Sequence, residues 1–507
     1  MSIRRATGAL AVLVLCAYIM TTGGSFATDM ASYEVTRSIV ENASVAMSYD
    51  VLSWELNRGV DGRYYAPVGL GHPLFGVPFY AAARAAQQVL GIRLGKPESL
   101  LKAAVVTGSA VAAALCVVVT FRFAAASSAS VPAAATAAIA LAFSTGLWPY
   151  SKFGFNAPLA ALAVTAGTFG TWSGVRFNRT ACLVLGGACL GYGALTRHEL
   201  MLTALPAGVW IALESASVGR AVRRLVVFCL PFGSAVLCWM IYNYVRFGPP
   251  LDTGFMRDPG WGPHASLLVG LHGLLLSSGR SLFLYNPLVL VAVPAMIWLW
   301  RRDRNTVILL GGTVLAQLFT IARLESWDGG ESYGPRYLLP IVPLLLVGST
   351  PWLVLKRLRY LTAALMAIGV CVQLPGVLMD YSIVQNEFAR ATPGYSIQLT
   401  RYSWRASPLV LNATAAAAAI PDNTRYLLGL AKPPAVAGGA SEAERGFSRQ
   451  FAFSLNFWWL YLFYFGVVPA WASVAVAGVL ATGAIWASKA FRGAVRCSAP
   501  PYRAELT

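Results

Sequence analysis

Three short stretches of the chain carry side chains whose types and spacing suit acid–base chemistry beside a phosphate. The first is Thr28-Asp29-Met30-Ala31-Ser32-Tyr33-Glu34, in which Asp29 stands four residues before Tyr33. A carboxylate held at a membrane boundary is partly stripped of water, which strengthens it as a general base. Asp29 fits equally well as the N-cap of a short helix, with Tyr33 and Glu34 shaping its surroundings. The second stretch is Asp61-Gly62-Arg63-Tyr64-Tyr65-Ala66-Pro67-Val68-Gly69-Leu70-Gly71-His72-Pro73-Leu74. Glycine and proline at this density specify a fixed irregular turn. Such backbone is tolerated at lipid depth where it lines a cavity, and an ordinary loop with two interfacial tyrosines is the plainer alternative. The third runs from Glu325 through Trp327, Asp328, Gly329, Gly330 and Tyr333 to Gly334-Pro335-Arg336-Tyr337. Arg336 falls at the first turn of an apolar run. There a guanidinium can fork onto a phosphate or simply snorkel to the interface.

Smaller candidates are Lys152 with Asn156, Arg197-His198-Glu199, and Asn243 to Gly254. Each taken singly also fits interfacial anchoring. No Cys/His spacing has the form of a zinc site.

Composition determines the elements that must hold these residues. Of 507 residues, 57% are hydrophobic and 12% charged, and the mean hydropathy is +0.60. An ordinary soluble domain carries about 25% charged residues, and single cores stop growing near about 300 residues. A soluble enzyme, a disordered chain and a nucleic-acid-binding domain are thereby excluded in favour of an all-α polytopic membrane protein.

Apolar runs long enough to cross a bilayer fall at 6–24, 100–121, 131–149, 156–175, 180–196, 199–213, 225–245, 281–300, 305–322, 337–355, 360–379 and 456–488. That gives about twelve transmembrane helices, the last beginning as an aromatic interfacial helix around Phe457–Phe465. With the N-terminus inside, the inside segments hold 18 Lys/Arg against three acids, Glu214, Asp303 and Glu505. This asymmetry is the positive-inside pattern. The net charge of +18 is therefore topology, and both termini are expected in the cytoplasm.

Two outside segments are long. Residues 25–99 form the first external loop, where Met30, Tyr33, Ile39 and Val40 have the spacing of an interfacial helix. Residues 381–455, with the alanine run Ala415–Ala419 and Pro433-Pro434, read as a small external segment before the last span. The chain thus divides into a transmembrane catalytic module (1–380), that external segment, and a C-terminal helix with a basic tail (456–507). The eight cysteines fall within spans or the inside tail, so no external disulfide framework is available. Arg4-Arg5, an apolar run and Ser25-Phe26-Ala27 also fit a cleaved leader. Cleavage would detach Asp29 from the helix before it, and a retained first helix is the expectation. All four histidines and the candidate clusters lie at the outside ends of spans or in outside loops.

Together these stretches resemble the GT-C superfamily of integral-membrane glycosyltransferases, in particular its protein mannosyltransferase-like and aminoarabinose-transferase-like branch. The resemblance covers most of residues 1–380. It rests on Asp29 followed by Tyr33, on Gly62-Arg63-Tyr64-Tyr65 with Gly69-Leu70-Gly71-His72-Pro73-Leu74, on Trp327-Asp328-Gly329-Gly330 with Tyr333-Gly334-Pro335-Arg336-Tyr337, and on Asn243-Tyr244-Val245-Arg246-Phe247-Gly248. Where several relatives have Lys-Pro-Pro-Leu, this chain has Gly71-His72-Pro73-Leu74, so a phosphate-binding lysine is missing there.

The resemblance implies transfer of a hexose or pentose from a polyprenyl-phosphate donor to a hydroxyl of a glycan, lipid or protein, with inversion, on the external face of a bacterial inner membrane. Asp29 would be the general base. Arg336, Arg197, Lys152, Tyr64, Tyr65, His72 and Tyr337 would bind donor phosphate and sugar. Tyr33, Glu34, Asp61, Arg63, His198, Glu199, Trp327, Asp328 and Tyr333 would shape the acceptor side. No cofactor is required by such a donor, and a divalent cation would have no clear site. The competing reading is a polytopic transporter or lipid/glycan flippase. Transporters place ionisable groups near the midplane and use broken helices in related halves, whereas these runs are nearly free of charge.

Overall fold

The computed structural model describes residues 2–24, 29–47, 56–90, 98–128, 130–257, 262–263, 265–431 and 454–498. Ser25-Phe26-Ala27, Thr28, His264, Pro433-Pro434 and Glu505 lie outside the described residues.

The first half of the chain comprises α1 (Ser2–Met20), α2 (Met30–Asn42), α3 (Gly71–Leu90), α4 (Glu98–Ser128), α5 (Val131–Phe143), α6 (Leu147–Ser151), α7 (Ala157–Arg176), α8 (Thr180–Thr196), α9 (Ala204–Leu213) and α10 (Val218–Phe247). The second half comprises α11 (Leu267–Leu276), α12 (Leu282–Tyr285), α13 (Ala292–Trp300), α14 (Arg304–Ala322), α15 (Val342–Leu353), α16 (Arg359–Leu378), α17 (Tyr381–Ala391), α18 (Ile397–Tyr402), α19 (Pro408–Leu427), α20 (Trp458–Tyr464) and α21 (Ala470–Ser498). Among the described residues, strands are confined to β1 (Asn57–Arg58) and β2 (Tyr64–Tyr65), antiparallel with Asn57 opposite Tyr65. The protein is all-α, as its composition requires.

Every apolar run falls on helix. Among the described residues, seven helical stretches are long and apolar enough to cross a membrane: Ile3–Met20, Glu98–Ser128, Val218–Phe247, Arg304–Ala322, Arg336–Leu353, Lys356–Leu378 and Ala470–Ser498. The other five runs coincide with α7, with the shorter α8, or with helices broken into pieces. The run at 281–300, for instance, is α12, a 3-10 turn at Pro287–Val291, and α13. Interfacial helices are expected in the first external loop, and both α2 and α3 fall there; the apolar α11 is not among the expected elements.

Small residues set the packing. A Cβ on Gly170 of α7 would lie 2.9 Å from the Gly186 Cα of α8. Helix backbones approach that closely only where both sides lack side chains, the usual packing mode of membrane helices. At one end of the bundle, Arg176 pairs with Glu214 (3.1 Å) and Asp303 (3.2 Å). Alternation of the runs puts all three on the same side, and the packing brings them together at that end.

At the other end, α20 closes over α1. The indoles of Trp458 and Trp459 donate to Ile19 O (2.8 Å) and Met20 O (2.9 Å), satisfying carbonyls that a helix terminus leaves without partners. The aromatic run is thus a helix of its own, separate from α21. In the external segment the alanine run lies inside α19.

Candidate active site

The segment leaving α1 is laid along the turn between α6 and α7. Gly23 N–H donates to Lys152 O (3.0 Å) and Asp29 N–H donates to Gly154 O (3.1 Å). Asp29 then caps α2, its carboxylate accepting from Ser32 N–H (3.2 Å) and the Ser32 hydroxyl (2.9 Å). The capping role is real, yet it leaves the charge uncompensated. Glu34, Glu41 and Glu98 share Arg37 at 3.6, 3.1 and 3.2 Å, and Asp61 pairs with Arg63 at 2.9 Å. Among the described acids of the first external loop, Asp29 alone has no basic partner within ion-pair range. Tyr33 is buried against Tyr80, with ring centroids 5.9 Å apart, and is a packing residue of α2.

The glycine-rich turn is a docking device. A Cβ on Gly69 or Gly71 would collide with Leu195 and Thr196 at the end of α8; Gly71 O accepts from the Tyr192 hydroxyl (2.7 Å). This contact draws the start of α3 beside Arg197. The Thr36 hydroxyl donates to Pro73 O (3.0 Å), joining α2 to the same turn. His72, only 8% exposed, is thereby brought next to Asp29. Burial pushes its imidazole below the ordinary value, against the opposing pull of the Asp29 carboxylate. His72 therefore stands as a neutral ring whose Nδ1 has no partner among the described residues.

The rest of the second stretch is held elsewhere. Tyr65 donates to Asp61 (2.7 Å) and, aided by Arg63, holds that carboxyl below its usual range. The Tyr65 ring packs on Phe247, and buried Arg246 donates to Ala66 O (2.7 Å) and Asn243 Oδ1 (2.8 Å). Tyr65 and Ala66 thus anchor the loop to the end of α10, Asp61 and Arg63 brace Tyr65, and Tyr64 pairs with Arg58 across the two-stranded ribbon. Arg246 is the clamp that sequence inspection did not single out within its Asn-Tyr-Val-Arg-Phe-Gly stretch.

Arg197 and Arg336 meet at one ring. The Arg197 guanidinium lies 4.4 Å from the Tyr337 ring centroid, and that of Arg336 lies 5.1 Å from the same centroid and 5.4 Å from Phe155. All three are cation–π distances. Arg197 donates to Glu199 (2.7 Å). Arg336 donates only to the Tyr337 hydroxyl (3.4 Å), leaves a buried Nε unpartnered, and has no acid in ion-pair range among the described residues. His198 stacks on Trp239 and lies tilted against Phe255, with its Nδ1 3.8 Å from the Glu199 carboxylate.

The rest of the third stretch is scaffold. Fully buried Arg280 donates to Asp328 O (3.0 Å) and Gly330 O (2.6 Å), fixing a turn whose Gly329 and Gly330 have φ of +74° and +65°. Trp327 packs on Gly273, and Tyr333 donates to Val372 O (2.5 Å).

Lys152 is committed to backbone. Its Nζ donates to Val377 O (2.6 Å) and Met379 O (3.2 Å) at the end of α16. Burial pushes the amine down to about 7, with Asp380 opposing. An unfolded lysine near 10.5 keeps its proton where the folded one has lost it. Stability should therefore rise with pH between about 7 and 10, by up to ~1.4 kcal/mol per pH unit. A melting series across that range should show the rise in the wild type and not in Lys152→Met; equal slopes would refute it.

Among the described residues no three His, Cys, Asp or Glu side chains converge in a way that could hold a metal ion.

No family model matches the chain, and no curated protein matches it. Solved structures do. The chain is similar to ArnT from Cupriavidus metallidurans in the apo state, at 14% identity over 97% of this chain and 75% of that one, with a TM-score of 0.48. It is similar to the same protein bound to undecaprenyl phosphate (14% identity, 88% and 83% covered, TM-score 0.45). It is also similar to the Archaeoglobus fulgidus oligosaccharyltransferase tethered to an acceptor peptide (12% identity, 81% and 55% covered, TM-score 0.47). At this degree of likeness, function has to be argued from the site's own residues.

Proposed function

We propose that the chain is a membrane glycosyltransferase that moves a sugar from a polyprenyl-phosphate donor to an acceptor hydroxyl, with inversion. The site would face the external side of a bacterial inner membrane, with both termini cytoplasmic. One observation carries this reading. Among the described residues, an acid without a base, Asp29, and an arginine without an acid, Arg336, flank the same Gly154–Phe155 turn, and no ion pair joins them. Leaving both charges unpaired in a partly buried site is costly, and a substrate that brings a proton to one and an anion to the other would offset that cost.

In the proposed step the acceptor O–H gives its proton to Asp29 as its oxygen bonds to the anomeric carbon. The bond from that carbon to the phosphate oxygen breaks, and its electrons leave on the polyprenyl phosphate. Arg336 and Arg197, gathered at Tyr337, stabilise the charge that develops there. In a water-poor site this is commonly the largest catalytic contribution. A single displacement inverts the anomeric centre. His72, kept neutral by burial, would orient the donor sugar or Asp29 without adding positive charge, so the arginines would take over the phosphate from the missing lysine.

The test is chemical. A strain lacking the protein should accumulate a polyprenyl-phosphate sugar in its lipid extract, and restoring the gene should clear it. Undecaprenyl phosphate is the carrier to look for first. An unchanged lipid pool, together with no transfer from that pool by the purified protein, would refute the reading.

A further inference from the structure

The external segment before the last span makes closer contact with the Trp327–Tyr337 loop than a separate domain would. Arg401, at the end of α18, ion-pairs with Asp328 at 2.7 Å, and its guanidinium lies 5.1 Å from the Trp327 ring. Asp328 is only 2% exposed. The Arg401 carbonyl accepts from Gly279 N–H (3.0 Å), and a Cβ on Gly279 would strike Thr400 O. The neighbouring Arg280 reaches the other side of the same turn through Asp328 O and Gly330 O. From α17, Gln385 donates to Ser332 O and Asn386 to Glu331, each at 3.3 Å. Gly329 sits between the two residues so held, and the Arg336 Nε lies 3.4 Å from where a Cβ on Gly329 would stand. The guanidinium assigned to the phosphate thus rests against a turn that α17 and α18 hold from outside.

We infer that residues 381–402 are a strap belonging to the catalytic module, and that Arg401, through its buried pair with Asp328, is a positioning residue for Arg336. Buried ion pairs contribute little net stability but constrain geometry. A misplacement of about 1 Å in a supporting shell can cost about 10²-fold in function. The inference rests on reading Arg336 as the phosphate ligand, so its test needs one measurement that does not depend on that reading.

Full-length protein in lipid nanodiscs would be compared as wild type, Arg401→Gln, Arg401→Lys and the double variant Arg401→Gln with Asp328→Asn. Two quantities are read: affinity for undecaprenyl phosphate, and hydrogen exchange of the 326–336 backbone. Arg401→Gln should weaken binding about tenfold to 10²-fold and speed exchange in that loop while α2 and α3 exchange as before. The double variant removes the lone buried carboxylate charge and should recover much of the exchange protection, and Arg401→Lys should recover part of the affinity. Wild-type binding by Arg401→Gln would overturn the inference, whether or not exchange changes. So would general unfolding in the single variant without recovery in the double. If not even the wild type binds undecaprenyl phosphate, the reading of Arg336 fails, and loop-restricted exchange still decides whether the strap exists.

Discussion

Asp29→Asn should lower sugar transfer by about 10²–10⁴, the usual contribution of a positioned general base, while protein level, melting temperature and donor binding stay near wild type. Asparagine is the informative substitution because Asp29 also caps α2 through Ser32. Asparagine caps a helix as well as aspartate does, whereas alanine would cost about 1 kcal/mol of cap and blur the result. The loss should fall on kcat, since the base acts on the acceptor proton and not on the phosphate. Glu34→Gln, Glu41→Gln and Asp61→Asn are the comparisons. Each breaks an ion pair with Arg37 or Arg63, so each should cost some stability and leave turnover per folded molecule nearly unchanged. If Asp29→Asn turned over normally while one of those variants did not, the base would be misassigned.

For Arg336 the expected loss in function is comparably large, and it too should come without a loss of stability. Removing one donor that stabilises transition-state charge typically costs about 10²–10³ in rate, and Arg336→Met should lose at least that, with weakened binding of undecaprenyl phosphate. Arg336→Lys should already be impaired, because the ammonium keeps the charge and loses the planar fork. Yet Arg336 has no acid in reach among the described residues and carries an unpartnered buried Nε. Removing it should leave the melting temperature unchanged or raise it, as for other groups retained for function at the expense of stability. A variant that melted well below wild type and bound donor normally would show that Arg336 is structural. Arg197→Met is the contrast: it strands the Glu199 carboxylate to which Arg197 donates at 2.7 Å and should lose both stability and activity.

What the sequence determined by itself was the one-dimensional part of the problem. Hydrophobic length and Lys/Arg asymmetry are local properties, and a bilayer of fixed thickness converts them directly into helices and sides. The twelve runs therefore land on helix, and Arg176, Glu214 and Asp303, which alternation of the runs puts on one side, meet at one end of the bundle. The glycine-rich turn was legible as a fixed loop, though its purpose was not. Gly69 and Gly71 exist for Leu195 and Thr196, which lie far away in sequence. The breaks within the run at 281–300 were not legible, because hydropathy averages over a Pro287.

The tertiary structure decided which charges are free. In sequence, Lys152, Arg197, Arg246, Arg280, Arg336 and Arg401 are six similar cations, the first five near the ends of apolar runs and the last in the 381–455 segment. In the fold, Lys152 holds the carbonyls that end α16, Arg246 and Arg280 hold loop carbonyls, and Arg401 is paired with Asp328. Arg197 is paired with Glu199 beside Tyr337, and Arg336 remains without an acid among the described residues. Likewise the described acids of the first loop reduce to one without a basic partner, Asp29. Neutralisation depends on which groups come within about 4 Å, where Coulomb attraction offsets much of the loss of hydration. Those groups arrive from segments that spacing along the chain does not connect.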